Sequence, residues 1–307
     1  MSVTSLVRFP RTQRVPEAMG TKIGFSIAEK TALAFFLYIT AAALVFHLAT
    51  RDLCLVLTLN AVTFATLLAL RRNRQRATWL APAANLFPAL LLLVTYRESG
   101  LLITPGGAHH LDYVFIQWDR LLLYNRLIAA VLQAGTPWLQ HYLELAYLLC
   151  YPLVPLGALA IHFATRAEQT GDDAARSVKA MDAFWATVLP ATLFCYAAYP
   201  FFPLTPPRVL FGDVPGPHVE PLLRQWNFWL LDHYSVQACI FPSGHVAALT
   251  AVALAVRRQT PRFGPLFLFL AGSVALATVY GRYHYAPDAV AGALVGFAAF
   301  YLSKISR

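Results

Sequence analysis

The chain has 307 residues, of which 58% are hydrophobic types and only 13% are charged. A water-soluble domain carries about 25% charged and about 45–50% apolar residues, so this composition excludes an ordinary soluble domain and a disordered chain and points to an integral membrane protein. The net charge of +9 reads as a membrane-topology signal rather than as nucleic-acid binding, because the basic residues are distributed by loop.

The first 30 residues are polar and basic, with no apolar core ahead of Thr31. No cleavable signal peptide is expected there, and the first span acts as an uncleaved anchor. Eight apolar stretches follow, at 31–50, 53–70, 77–96, 138–163, 181–200, 243–256, 263–281 and 287–303. Most approach the roughly 20 residues that a helix needs to cross the hydrocarbon core. They lack period-2 alternation, and an open sheet edge cannot face lipid. The predicted fold class is therefore all-α, a polytopic membrane helix bundle of about eight transmembrane helices.

The basic residues alternate between the two sides of such a bundle. Seventeen lie in the N-terminal segment, the second–third, fourth–fifth and sixth–seventh connections and the tail, against seven in the other loops. The positive-inside rule then places both termini in the cytoplasm. Two long loops, 97–137 and 201–242, fall on the opposite side, which is periplasmic, extracellular or lumenal. Segments 113–119, 121–124 and 226–231 within them mix Trp, Tyr and aliphatic residues, a composition suited to the headgroup level. Packing over the bundle and a lid or lipid-entry surface are both open readings, and Asp112 and Asp119 are candidates for the lid or for headgroup recognition.

Cys54, Cys150, Cys195 and Cys239 have no metal spacing, and neither do His109, His110, His141, His218 and His233. No metal, disulfide framework or cofactor is expected from them. His47 and His162 lie at span edges and read as packing or interfacial residues. Glu144 sits inside a span, where a charge is costly and marks function by default, so a nearby arginine or hydroxyl is its expected partner.

Three short clusters on the non-cytoplasmic side carry the chemistry. The first, YPFFPLTPPR, runs from Tyr199 to Arg208 at the end of the fifth stretch. The second, FPSGH, ends at His245 and opens the sixth stretch; the third, YGRYHYAPD, ends at Asp288 and joins the seventh to the eighth. Ser243 suits an N-cap and Gly244 lets backbone approach a ligand closely. Free N–H groups and the helix dipole at that start favour an anion, most naturally phosphate. His245 falls in the same first turn, where it can reach the anion as a proton donor. The apolar run from Ser243 is short, so the helix is expected to begin below the surface, with irregular backbone lining a polar cavity.

In the third cluster, Asp288 is four residues after His284, at a helix start where a carboxylate stays ionised. It can hold one imidazole nitrogen and leave the other facing a substrate, which makes His284 a good nucleophile. Arg282 and Arg208 supply planar positive charge suited to phosphate. Together these groups describe a metal-free phosphoryl-transfer site: His284 attacks phosphorus, Asp288 stabilises the imidazolium, and His245 protonates the leaving oxygen. The phosphate is held by Arg208, Arg282, Ser243 and Gly244, and fixed charge is the main catalytic contribution.

At these residues the chain resembles the type 2 phosphatidic acid phosphatase superfamily. Pro242 to His245 matches the family's P-S-G-H element, and His284-x3-Asp288 matches its H-x3-D element, 39 positions after His245. The resemblance implies a six-helix catalytic core over 77–303, with 1–30 as a cytoplasmic segment and 31–70 as two additional spans. It implies a lipid phosphatase working through a phosphohistidine, without cofactor or nucleic acid. Thr278 stands where the family's third element carries arginine, and the first element reads Pro206-Pro207-Arg208 without the expected lysine. Both departures look like the branch of inositol phosphorylceramide synthase, in which a phospho-alcohol headgroup moves from a phospholipid to a lipid alcohol. A non-catalytic lipid or solute transporter is the alternative of another class, although the inverted halves such a fold would show are not visible.

Overall fold

The computed structural model describes residues 25–73, 80–103, 111–123, 136–167, 173–210, 222–236 and 238–305. Outside them lie Arg8, Arg11, Arg14, Lys22, Arg74, Arg76, Arg126, Arg307, Tyr124, His109, His110 and His218, together with the side chains of Arg166 and Cys239.

The N-terminal pair is α1 (Ile27–Val45) and α2 (Thr50–Asn73). Ser26 and Glu29 form a reciprocal capping box at the start of α1, which satisfies two backbone donors that a helix start leaves open. Next come α3 (Ala81–Leu101), α4 (Asp112–Leu123), α5 (Pro137–Leu148), α6 (Cys150–Ala167) and α7 (Asp173–Ala198). A single turn, α8 (Pro207–Leu210), precedes α9 (Leu222–Tyr234), and α10 (Gly244–Gln259), α11 (Gly264–Tyr280) and α12 (Ala286–Ile305) complete the chain. Among the described residues α1, α2, α7, α11 and α12 are each long and apolar enough to cross a membrane, and α5 with α6, bent by 62°, makes a sixth span if the pair crosses together. The protein is an all-α, multi-pass integral membrane protein. The third and sixth apolar stretches are also helical, as α3 and α10. At 16 residues α10 covers roughly 24 Å at about 1.5 Å per residue, too short to cross alone.

That short helix is the centre of the bundle. It packs against α6, α7, α11 and α12, and every residue from Val246 to Val256 except Thr250 is buried. Its closest neighbour is α12, and glycine makes the approach possible. A Cβ at Gly292 would lie 2.5 Å from the Ser243 carbonyl oxygen, and one at Gly296 would lie 2.7 Å from that of Ala247. Small residues four apart allow this kind of close helix crossing in a membrane. Gly292→Ala would gain about 1 kcal/mol of helix propensity. The overlap is with backbone, though, and overpacking costs about 1–3 kcal/mol. Net destabilisation is therefore expected, read as a lower unfolding temperature of the detergent-purified protein; an unchanged or raised temperature would refute this packing.

The α1–α2 pair joins the rest through α7 and α3. The Tyr38 hydroxyl donates to the Ala197 carbonyl across 2.6 Å. Helix α9 is amphipathic in the reverse sense to a soluble helix. Arg224, Asn227 and Leu231 are buried, while Leu222, Trp226 and Trp229 are exposed. Polar groups turned inward and apolar rings turned outward suit the headgroup level expected for 226–231.

Candidate active site

The three clusters meet at one end of the bundle, tied by backbone hydrogen bonds. A two-residue strand β1 (Pro203–Leu204) pairs antiparallel with β2 (Cys239–Ile240), Pro203 opposite Ile240, and sets the first cluster beside the second. The Arg208 N–H donates to the Arg282 carbonyl at 2.9 Å, joining the first cluster to the third. The Ser243 N–H donates to the Asp288 carbonyl at 3.2 Å, joining the second to the third.

Ser243 is the N-cap of α10, its hydroxyl accepting from the Val246 N–H at 3.4 Å, and it is fully buried. The space that a side chain would take at Gly244 is occupied: a Cβ there would meet the Tyr199 hydroxyl at 2.7 Å and the Tyr196 ring at 2.9 Å. His245 follows in the first turn. Its Nδ1 lies 3.4 Å from His284 Nε2, with the two rings inclined at 71°. Tyr147 and Tyr151 flank His245, each with its ring centroid 6.1 Å away.

His284 Nδ1 is hydrogen-bonded to Asp288 Oδ2. An ionised carboxylate only accepts, so Nδ1 carries the proton and Nε2 keeps its lone pair, directed toward His245. Asp288 lies fully buried in the first turn of α12, where the helix dipole favours its charge. Asp288 and His284 are four residues apart, and the loop between α11 and α12 folds so that His284 lies between the Asp288 carboxylate and His245.

Arg282, between α11 and α12, has φ of 60°, the left-handed region that side chains resist. The turn around it is held at several points. Its own N–H donates to Val279 O at 3.1 Å, and the Tyr283 and His284 N–H groups both donate to the Thr278 carbonyl at 2.9 Å. Thr278, standing where the resemblance expects arginine, is fully buried, and it serves the site through this carbonyl. Burial, and then the charge of Arg224, lowers the Arg282 guanidinium below its ordinary value, but a guanidinium keeps its proton through such a shift.

Several residues gain roles that the sequence did not assign. Glu144 meets both kinds of partner expected of it. Its Oε1 accepts from Arg224 Nη1 at 2.7 Å, and its Oε2 accepts from Asn227 Nδ2 at 2.9 Å and from the Tyr283 hydroxyl. Asp112 accepts from the Thr205 N–H at 2.9 Å, and Asp119 accepts from the Ala286 N–H at 2.7 Å. These two carboxylates tie α4 to the first cluster and to the start of α12, so α4 fastens the site loops from outside. Burial raises the Asp119 carboxyl, against the Ala286 N–H, which lowers it. Phe115, between the two aspartates, packs its ring 5.0 Å from Phe241 and 5.9 Å from Tyr285.

Three of the other histidines have partners of their own. His141 and His233 bond the carbonyls four residues back in their own helices, and His162 Nδ1 lies 3.0 Å from the Asn85 amide. Among the described residues no group of three or more His, Cys, Asp or Glu side chains is placed to hold a metal ion.

The family model of the PAP2 superfamily matches residues 114–302, from within α4 to the last turn of α12. No curated protein and no solved structure matches the chain.

Proposed function

The chain belongs to the PAP2 superfamily, a family of phosphatase-type enzymes, and from that premise we propose that it cleaves a lipid phosphoester through a phosphohistidine on the non-cytoplasmic face of its membrane. The observation that carries this reading is His284 held between the Asp288 carboxylate and His245. Arg208 and Arg282 supply the positive charge that draws in the phosphate. His284 Nε2 attacks phosphorus and forms an N–P bond as the P–O bond to the lipid breaks. His245 gives a proton to the departing oxygen, and Asp288 offsets the charge on the imidazolium. An incoming hydroxyl then gives its proton back to His245 and attacks phosphorus, which releases His284. At 3.4 Å the two ring nitrogens are in direct contact, so an entering phosphoryl group parts the rings. The lopsided count of basic residues, 17 against 7, supports cytoplasmic termini and a site on the opposite side. The same reading takes 77–303 as the catalytic core, with α1 and α2 added to it.

A second reading concerns what the incoming hydroxyl belongs to. His284 is only 9% exposed and Asp288 fully buried, a setting that holds bulk water away from the intermediate. That favours transfer of a phospho-alcohol headgroup to a lipid alcohol, the activity of the inositol phosphorylceramide synthase branch. Purified full-length protein in phospholipid vesicles, with and without a lipid alcohol, separates the two. The transferase reading expects a new phospholipid that appears only with the alcohol. A free phospho-alcohol, or free phosphate from a lipid phosphomonoester, as the sole product would leave hydrolysis. Both reactions are expected to survive excess chelator, because arginine supplies the charge; no turnover of any lipid phosphoester would remove the enzymatic reading.

A further inference from the structure

We propose that Glu144 is a positioning residue for this site, acting with Arg224, Asn227 and Tyr283 to hold the left-handed turn that presents Arg282 and His284. The inference rests on the enzymatic reading above and extends it to residues outside the three clusters. Three elements meet at the Glu144 carboxylate: α5, which carries it, α9 and the α11–α12 turn. From α9, Arg224 binds Oε1 at 2.7 Å, and the same guanidinium places Nη1 and Nη2 each 3.4 Å from the Gly281 carbonyl. Asn227, one turn along, donates to both Oε2 and the backbone carbonyl of Glu144 at 2.9 Å. From the α11–α12 turn, Tyr283 donates its hydroxyl to Oε2 and stacks its ring on Tyr147 at 3.7 Å.

Gly281 and Tyr283 are the residues on either side of Arg282, and Tyr283 immediately precedes His284. One buried carboxylate therefore grips the turn from both sides of its left-handed residue, once through Arg224 and once directly. Tyr147 extends the hold to the other histidine, since its ring lies against Tyr283 on one side and near His245 on the other. A buried ion pair is a poor source of stability compared with apolar packing, but it fixes geometry. A catalytic group depends on such supporting contacts, and a displacement of about 1 Å costs roughly 100-fold in rate.

The test compares Tyr283→Phe, which removes only the hydroxyl and keeps the ring stack, with Glu144→Gln in full-length protein in vesicles. Each is expected to lower kcat on a lipid phosphoester by roughly 10- to 100-fold while KM holds. In an Arg282→Lys background, Tyr283→Phe is expected to cost less than it does in the native chain, because both act through one turn. Undiminished kcat in both variants, with an active native protein, overturns the proposal. So does a fall in kcat matched by a rise in KM and a lowered unfolding temperature, since that is the mark of a structural role. A native protein without turnover fails earlier, at the enzymatic reading, and takes this inference with it.

Discussion

Replacing His284 by asparagine is expected to reduce phosphoester turnover by roughly 10⁶-fold, the scale of losing a covalent nucleophile. Asparagine is the informative choice. Its side-chain amide can still donate to Asp288 Oδ2, as Nδ1 of the imidazole does, so the buried carboxylate keeps its partner. What disappears is Nε2, the atom directed at His245. His284→Ala would remove both and leave a buried charge unpaired, at about 3–5 kcal/mol of stability. The companion variant His245→Ala should behave differently. A general acid and base is worth roughly 10²–10⁴-fold, so turnover falls less. The phosphoenzyme should still form, and it should accumulate if its breakdown is slowed more than its formation. Rapid quenching after labelled substrate therefore distinguishes the two histidines: an acid-labile phosphoprotein in the native chain and in His245→Ala, none in His284→Asn. A labelled protein from His284→Asn, or near-native turnover, would sink the assignment of the nucleophile.

How much of this was written locally in the chain follows from the range of each interaction. Ser243, His284 and Asp288 were legible because helix starts and four-residue spacing are local rules. Apolar runs located the helices for the same reason. The run 138–163 concealed a break, however. The structure divides it near Leu149 into α5 and α6, and Pro152, lacking an N–H, is placed in the first turn of the new helix, where no donor is needed. The proline was visible; the 62° bend depends on what α5 meets, namely α9 and α11. The Glu144 partners lie 80, 83 and 139 positions away, and Asp119 caps a helix 167 positions on. No periodicity links such residues, because their meeting is decided by how the whole bundle packs. Gly292 and Gly296 show the intermediate case. Their spacing is a local signal, but it acquires meaning only when α10 is known to lie against it.

Asp288→Asn should leave the fold almost intact and still lower kcat by roughly 10⁴-fold, as when the carboxylate orienting a catalytic histidine becomes an amide. Two consequences of that one change act in the same direction. The carboxylate only accepts, which assigns the proton to Nδ1 of His284 and the lone pair to Nε2. An amide offers either an oxygen or an NH₂ group, and an NH₂ turned toward Nδ1 would favour the tautomer with its proton on Nε2, where no attack is possible. Even in the productive tautomer, the positive charge that develops on the ring as nitrogen bonds to phosphorus loses the fixed negative charge opposite it. The Asp288 carboxylate is fully buried, so little solvent is present to take its place. On the proposed mechanism substrate affinity draws on Arg208 and Arg282, which this change leaves alone, so KM should hold while phosphoenzyme formation slows. The backbone of Asp288 still accepts from the Ser243 N–H, which keeps α10 and α12 in register. A variant with native kcat would mean that Asp288 only caps its helix. One whose KM rose in step with the fall in kcat would mean that the substitution had disturbed phosphate binding instead. Stopped-flow measurement of the first turnover, in native and variant protein side by side, separates these outcomes, because it reads formation of the N–P bond apart from product release.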